Sequence, residues 1–112
     1  MTTDLGAALA EARARVLHDL SATLPTTPVV IDVLDVAVRD RRVWAEPWPE
    51  GADFVTCLVA QDVQEALTRS VGRWPQCRVS GEHTLHVEPD LGDDPHWICE
   101  DCAAVVAPIG GL

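Results

Sequence analysis

Residues 74–112 read WPQCRVSGEHTLHVEPDLGDDPHWICEDCAAVVAPIGGL, and this stretch holds three of the chain's four cysteines and three of its four histidines. Cys99 and Cys102 form a CxxC, a spacing at which two thiolates converge on one ion while the intervening backbone N–H groups turn toward the sulfurs. A closed zinc site takes four such donors. Upstream, Cys77 is followed by His83 and His86, and the interval from Cys77 to Cys99 leaves room for a hairpin. Thr84–Pro89 and His96–Cys99 have strand character, DLGDDP between them reads as a turn, and Ala103–Pro108 supplies a third strand.

Two ligand knuckles separated by a hairpin, with a strand after the second, resemble the zinc-ribbon or rubredoxin-like group over residues 73–112 and nothing before them. Cys99 and Cys102 correspond to the second knuckle and Cys77 to the first ligand of the first. The fourth position departs from that pattern: where CxxC or CxxH is usual, five residues separate Cys77 from His83. The resemblance implies a structural zinc held by Cys77, His83, Cys99 and Cys102. His83 is preferred because it precedes the strand, where a knuckle ligand belongs. His86, inside the strand, and His96, which opens the next one beside Trp97, are the alternatives.

Ligand type argues that such a zinc is not catalytic. A catalytic zinc keeps an open position and is usually held by histidine or carboxylate, so that it stays a strong Lewis acid; three thiolates donate too much charge for that. Two other readings stand beside it. In one, the ribbon is metal-free, Cys77, Cys99 and Cys102 are reduced thiols, and the histidines serve only the surface. In the other, CEDC is a thiol redox motif. Against the second, Glu100 and Asp101 between the cysteines would raise a thiolate pKa, and AAVVAPIG reads as strand where redox motifs open a helix.

Composition limits the function classes. The 112 residues are 47% hydrophobic and 23% charged, which describes an ordered domain rather than a disordered tail. Every basic residue is arginine, eight in all against eighteen acids, for a formal charge of -10. Such a surface repels phosphate backbones, so nucleic acid is a poor partner, and a protein with a basic surface is a better one. The N-terminus lacks a basic region followed by an apolar run, and no segment is long enough to span a bilayer, so the expected location is the cytoplasm. Clustered cysteines in that reducing compartment are metal ligands more often than disulfides, and the Ala, Val and Arg bias hints at a bacterial genome of high GC content.

Leu5, Leu9, Ala12, Val16 and Leu20 recur at three- and four-residue steps, predicting a helix over residues 4–22 with Thr3 as N-cap. Glu11 and Arg15 sit on its opposite face, His18 lies off the stripe as a solvated residue, and Leu24–Pro25 closes it. The Val, Ile, Thr and Trp density of TTPVVIDVLDVAVRDRRVWAE reads as a β-hairpin, with strands at Val29–Val38 and Arg42–Glu46 and a turn at Asp40 and Arg41. Asp32 and Asp35 then differ in parity, which puts one of them on the core side or at a bulge. Pro47–Gly51 is a loop, and Trp48 within it is a candidate partner anchor or a lid on its own core.

Val55, Val59, Val63, Ala66 and Leu67 share a helical face, predicting a second helix over residues 53–71, capped by Asp53 and ended by Gly72. The alternative makes Phe54–Val59 a strand and starts the helix at the Asp62–Glu65 capping box. Cys57 is a small buried hydrophobe on either view. The boundary falls at Gly72–Trp74, giving an α+β N-terminal part over residues 1–72 and a ribbon over residues 73–112. Glu82, Glu88, Asp90, Asp93 and Asp94 surround the ribbon turn without fitting a calcium-loop template. The expectation for the whole is an α+β protein and a non-catalytic interaction or assembly subunit, in which Trp44, Trp48, Trp74 and Trp97 offer contact surface.

Overall fold

The periodic apolar positions of the first segment form helix α1, Leu5–Thr23, in the computed structural model, which describes residues 4–79 and 81–112. Thr3, expected as the N-cap, lies outside the described residues. Asp4 is the cap, its carboxylate accepting from the Gly6 N–H at 3.1 Å. Leu9, Ala12, Val16 and Leu20 are buried as their spacing requires, and Leu24, before Pro25, ends the helix.

The expected hairpin is replaced by a helix: Pro28–Ala45, spanning both supposed strands and the Asp40–Arg41 turn, is α2. Its start is well specified, since the Thr27 hydroxyl accepts from the Val30 N–H and Pro28 occupies the first turn, where its missing N–H costs nothing. Val30, Leu34, Ala37 and Ala45 are buried, at intervals of four, three and eight residues that fit a helical repeat. Their burial, about 1.5–3 kcal/mol for a full valine or leucine side chain, outweighs the few tenths of a kcal/mol that β-branched residues cost in a helix. The parity conflict disappears as well: Asp32 and Asp35 both reach solvent, and Asp35 receives Arg13 of α1 at 2.8 Å.

Pro49–Phe54 winds as a short 3-10 helix and leads straight into α3, Val55–Ser70. Residues 54–59 are therefore not a strand. Asp53 does not take the N-cap position, which Phe54 occupies without a side-chain cap. Gly72, at φ 141, ends the segment by donating its N–H to the Leu67 carbonyl at 2.7 Å. Arg41 of α2 makes a bidentate pair with Asp62 of α3 at 2.6 and 2.9 Å and lies 5.4 Å from the Trp44 ring, fixing the two helices in register.

The ribbon follows as β1 (His86–Glu88), β2 (His96–Cys99) and β3 (Ala104–Pro108), an antiparallel sheet in the order β1-β2-β3. Val87 pairs with Trp97, and Trp97 with Ala107, so all three point to the buried face. The architecture is α+β, three helices followed by a small antiparallel sheet. The buried core is one cluster that draws Leu9, Val16, Leu34 and Val63 from the helices and Leu85, Val87 and Trp97 from the ribbon. Two α3 glutamines fix the ribbon by its backbone: Gln64 Nε2 donates to the Trp74 and Leu85 carbonyls at 3.0 and 2.8 Å, and Gln61 Nε2 to the Asp90 carbonyl at 2.7 Å.

Candidate metal centre

Cys77, Cys99 and Cys102 come from three places: the loop before β1, the last residue of β2 and the turn between β2 and β3. The turn is tight, with the Ala103 N–H on the Glu100 carbonyl at 3.1 Å and Ala103 itself in the left-handed region at φ 52. It carries Cys102 back over Cys99. The loop before β1 closes through the Gln76–Thr84 bridge, with the Cys77 N–H on the His83 carbonyl at 2.7 Å and the Gly81 N–H on the Cys77 carbonyl at 2.8 Å. The long interval between Cys77 and His83 is thus drawn into a closed loop that presents both residues at one end of the sheet.

The three Sγ atoms lie within 4.8 Å of one another, with Cys77 Sγ and Cys102 Sγ 3.9 Å apart. A second group meets the first at Cys99: His83 Nδ1 is 3.9 Å from Cys99 Sγ and 3.8 Å from an Asp101 carboxylate oxygen. Donors in these positions can hold a metal ion. For tetrahedral coordination with Zn–S bonds of about 2.3 Å, the edge between two sulfurs is about 3.8 Å, close to the 3.9 Å between Cys77 and Cys102. Cys77 and Cys99 are buried and Cys102 half-buried, while none of the cysteines is in a disulfide.

Electrostatics give the same picture. The Cys102 thiol is pushed up to about 11, first by its contacts with the Cys99 and Cys77 thiols and then by burial. At neutral pH the free thiol keeps its proton. A redox nucleophile needs the opposite shift and commonly a helix N-terminus, whereas Cys99 ends a strand and Cys102 lies in a turn. The other two ribbon histidines have different neighbours: His86 Nε2 is 3.4 Å from Glu100, and His96 Nδ1 is 2.9 Å from the Asp94 carbonyl.

A family model for a domain of unknown function, DUF8819, matches residues 5–109. The chain belongs to this family. No curated protein and no solved structure matches it. The DUF8819 match takes in the helices and the ribbon together, including Cys77, His83, Cys99 and Cys102.

The tryptophans of this DUF8819 chain divide into two pairs. Trp74 and Trp97 are buried and edge-to-face, with ring centroids 5.3 Å apart, which withdraws them from any contact surface. Trp48 is 41% exposed and stands edge-on to Trp44 at 5.1 Å, over Gly51, where a Cβ would come within 2.9 Å of the Trp44 ring. Cys57 is buried, its thiol donating to the Phe54 carbonyl at 3.0 Å; burial pushes it up.

The residue missed by sequence reasoning is Asp19, fully buried in α1. Its Oδ2 accepts from Trp97 Nε1 and the Gly110 N–H, both at 2.7 Å, and its Oδ1 from the Leu112 N–H at 2.9 Å and lies 3.2 Å from His18 Nδ1. One turn on, the Thr23 hydroxyl accepts from Trp74 Nε1 at 2.8 Å. Helix α1 thereby orients both buried tryptophans of the ribbon. The signal was present: Asp19 falls three residues after Val16 and seven after Ala12, on the apolar stripe.

Proposed function

We propose that residues 73–112 hold a structural zinc through Cys77, Cys99, Cys102 and His83, and that the protein acts as a non-catalytic interaction or assembly subunit. The observation that carries the metal reading is the convergence of three thiols from separate segments, with the 3.9 Å contact between Cys77 and Cys102. Thiolate-rich tetrahedral sites favour zinc or iron among the available metals, and a histidine beside three cysteines is a structural zinc set. Bound there, zinc supplies folding free energy, on the order of 10 kcal/mol in small zinc domains. The protein's own contribution is to hold the donors: the Cys77–His83 loop closes through backbone hydrogen bonds, and the sheet fixes Cys99.

The interaction role is supported by surface chemistry. The ribbon half has two arginines against seven acids, which suits a partner with a basic surface. Trp48, half-exposed on the helical half, is a rigid aromatic of the kind that anchors interfaces.

Native mass spectrometry of the protein purified from cells tests both parts, with one zinc per chain and a retained partner as the expected result. Unchanged thermal stability after chelation would sink the metal reading. Trp48→Ala should weaken partner association while the chain stays folded; loss of the fold would make Trp48 a core residue instead.

A further inference from the structure

Helix α2 buries one face against α1 and α3 and leaves another bare. On the bare face Val29, Val36 and Val43 are 55%, 38% and 66% exposed, and their seven-residue spacing places them in one line along the helix. Apolar side chains aligned along an exposed helix face mark a contact site more often than scattered ones do. Two hollows adjoin the row. Val36 opens on a groove of about 320 Å³ between α2 and α3, and Val29 on an apolar one of about 480 Å³ shared with Leu24, Pro25 and Val71.

Charge identifies the occupant. Asp32 and Arg39, also seven residues apart, lie together along one flank of the valine row, and both are exposed. Neither makes an ion pair among the described residues. Suppose two copies of α2 pack antiparallel about a two-fold axis at Val36. Val36 then meets itself, Val29 of each copy meets Val43 of the other, and Asp32 of each lies beside Arg39 of the other, twice. Parallel packing would instead carry the two flanks to opposite sides of the seam, where Asp32 and Arg39 find no opposite charge on the other copy's same flank. The helix also carries three aspartates and three arginines, a balanced surface in a chain of charge -10, so two copies can meet here without the repulsion of the acidic ribbon.

We propose that the chain forms a two-fold dimer through the antiparallel packing of α2 on α2, with Val29, Val36 and Val43 as its seam and Asp32–Arg39 pairs fixing its direction. A single helix face is at the small end of protein interfaces, so a weak, concentration-dependent association is expected. The dimer does not depend on the metal.

Sedimentation velocity over a concentration series, with circular dichroism as the control for folding, tests this. The wild-type chain should pass from monomer to dimer. Val43→Glu, at the most exposed position of the seam, and Asp32→Arg should each raise the dissociation constant roughly tenfold or more with helical signal and thermal midpoint unchanged. Restoring opposite charges in D32R/R39D should bring the dissociation constant back toward wild type. A wild-type chain that stays monomeric, as it would if a different protein covers this face, overturns the proposal. So does a dimer indifferent to V43E, or a double variant that fails to recover.

Discussion

A carboxylate with no exposed surface is costly unless its oxygens find donors, and Asp19 finds two N–H groups of the C-terminal backbone and the Trp97 indole. An asparagine there keeps the shape but turns an NH2 toward these donors. Asp19→Asn is therefore expected to cost about 2–4 kcal/mol, read from the midpoint of urea unfolding; a loss below about 1 kcal/mol would mean that the donors find other partners. Ala103 lies at the opposite extreme of design. A left-handed alanine carries about 1–2 kcal/mol of backbone strain, so Ala103→Gly should raise stability by about 0.5 kcal/mol after the glycine's larger unfolded-state entropy is counted, and an unchanged midpoint would show the turn to be relaxed as it stands. The place of Asp19 on the apolar stripe was legible from sequence, but its partners and the angles of Ala103 were not. Asp19 satisfies its oxygens with groups that follow it by 78, 91 and 93 residues, a relation that local periodicity does not contain, and the angles of Ala103 follow from the turn that brings Cys102 over Cys99.

At the scale of elements, the ribbon was more legible than the helices because its signals are local. The CxxC, the proline- and glycine-bearing turn and the alternation in HWIC lie within a few residues of the structure they specify, and β2 is found over the expected residues. In α2, the density of Val and Ile outweighed a better signal, the Thr27–Pro28 start, and the parity conflict of Asp32 and Asp35 was itself the mark of a wrong period. The proposed ligand set makes an ordered prediction. His83→Ala should weaken metal retention roughly 10- to 100-fold, the loss seen even for outer-shell partners, while His86→Ala and His96→Ala leave it near wild type. Competition with a chromophoric chelator distinguishes them, and equal losses at all three positions would remove His83 as the fourth ligand. Cys102→Ser tests the second knuckle, with near-complete loss of retained metal expected.

Over the whole molecule, helices and ribbon share one core, and the polar joints between them are made by Asp19, Thr23, Gln61 and Gln64. A chain ending at Gly72 would expose the helix faces that cover Trp74, Leu85 and Trp97 and strand the Asp19 carboxylate. Such a fragment is expected to keep helical dichroism but unfold without a sharp calorimetric transition; a cooperative transition near that of the full chain would show the three helices to be self-sufficient. No described helix is long and apolar enough to cross a membrane. The reach of Asp19 also bears on how the chain is made. Its carboxylate is synthesised 93 residues ahead of its last backbone donor, which at typical elongation rates is a wait of roughly 5–20 s. During that interval α1 has an apolar stripe interrupted by an unmet charge, which is expected to disfavour its docking until the ribbon emerges. The same aspartate that joins helices and ribbon in the folded protein would then act during synthesis as a delay, disfavouring premature collapse of the helices.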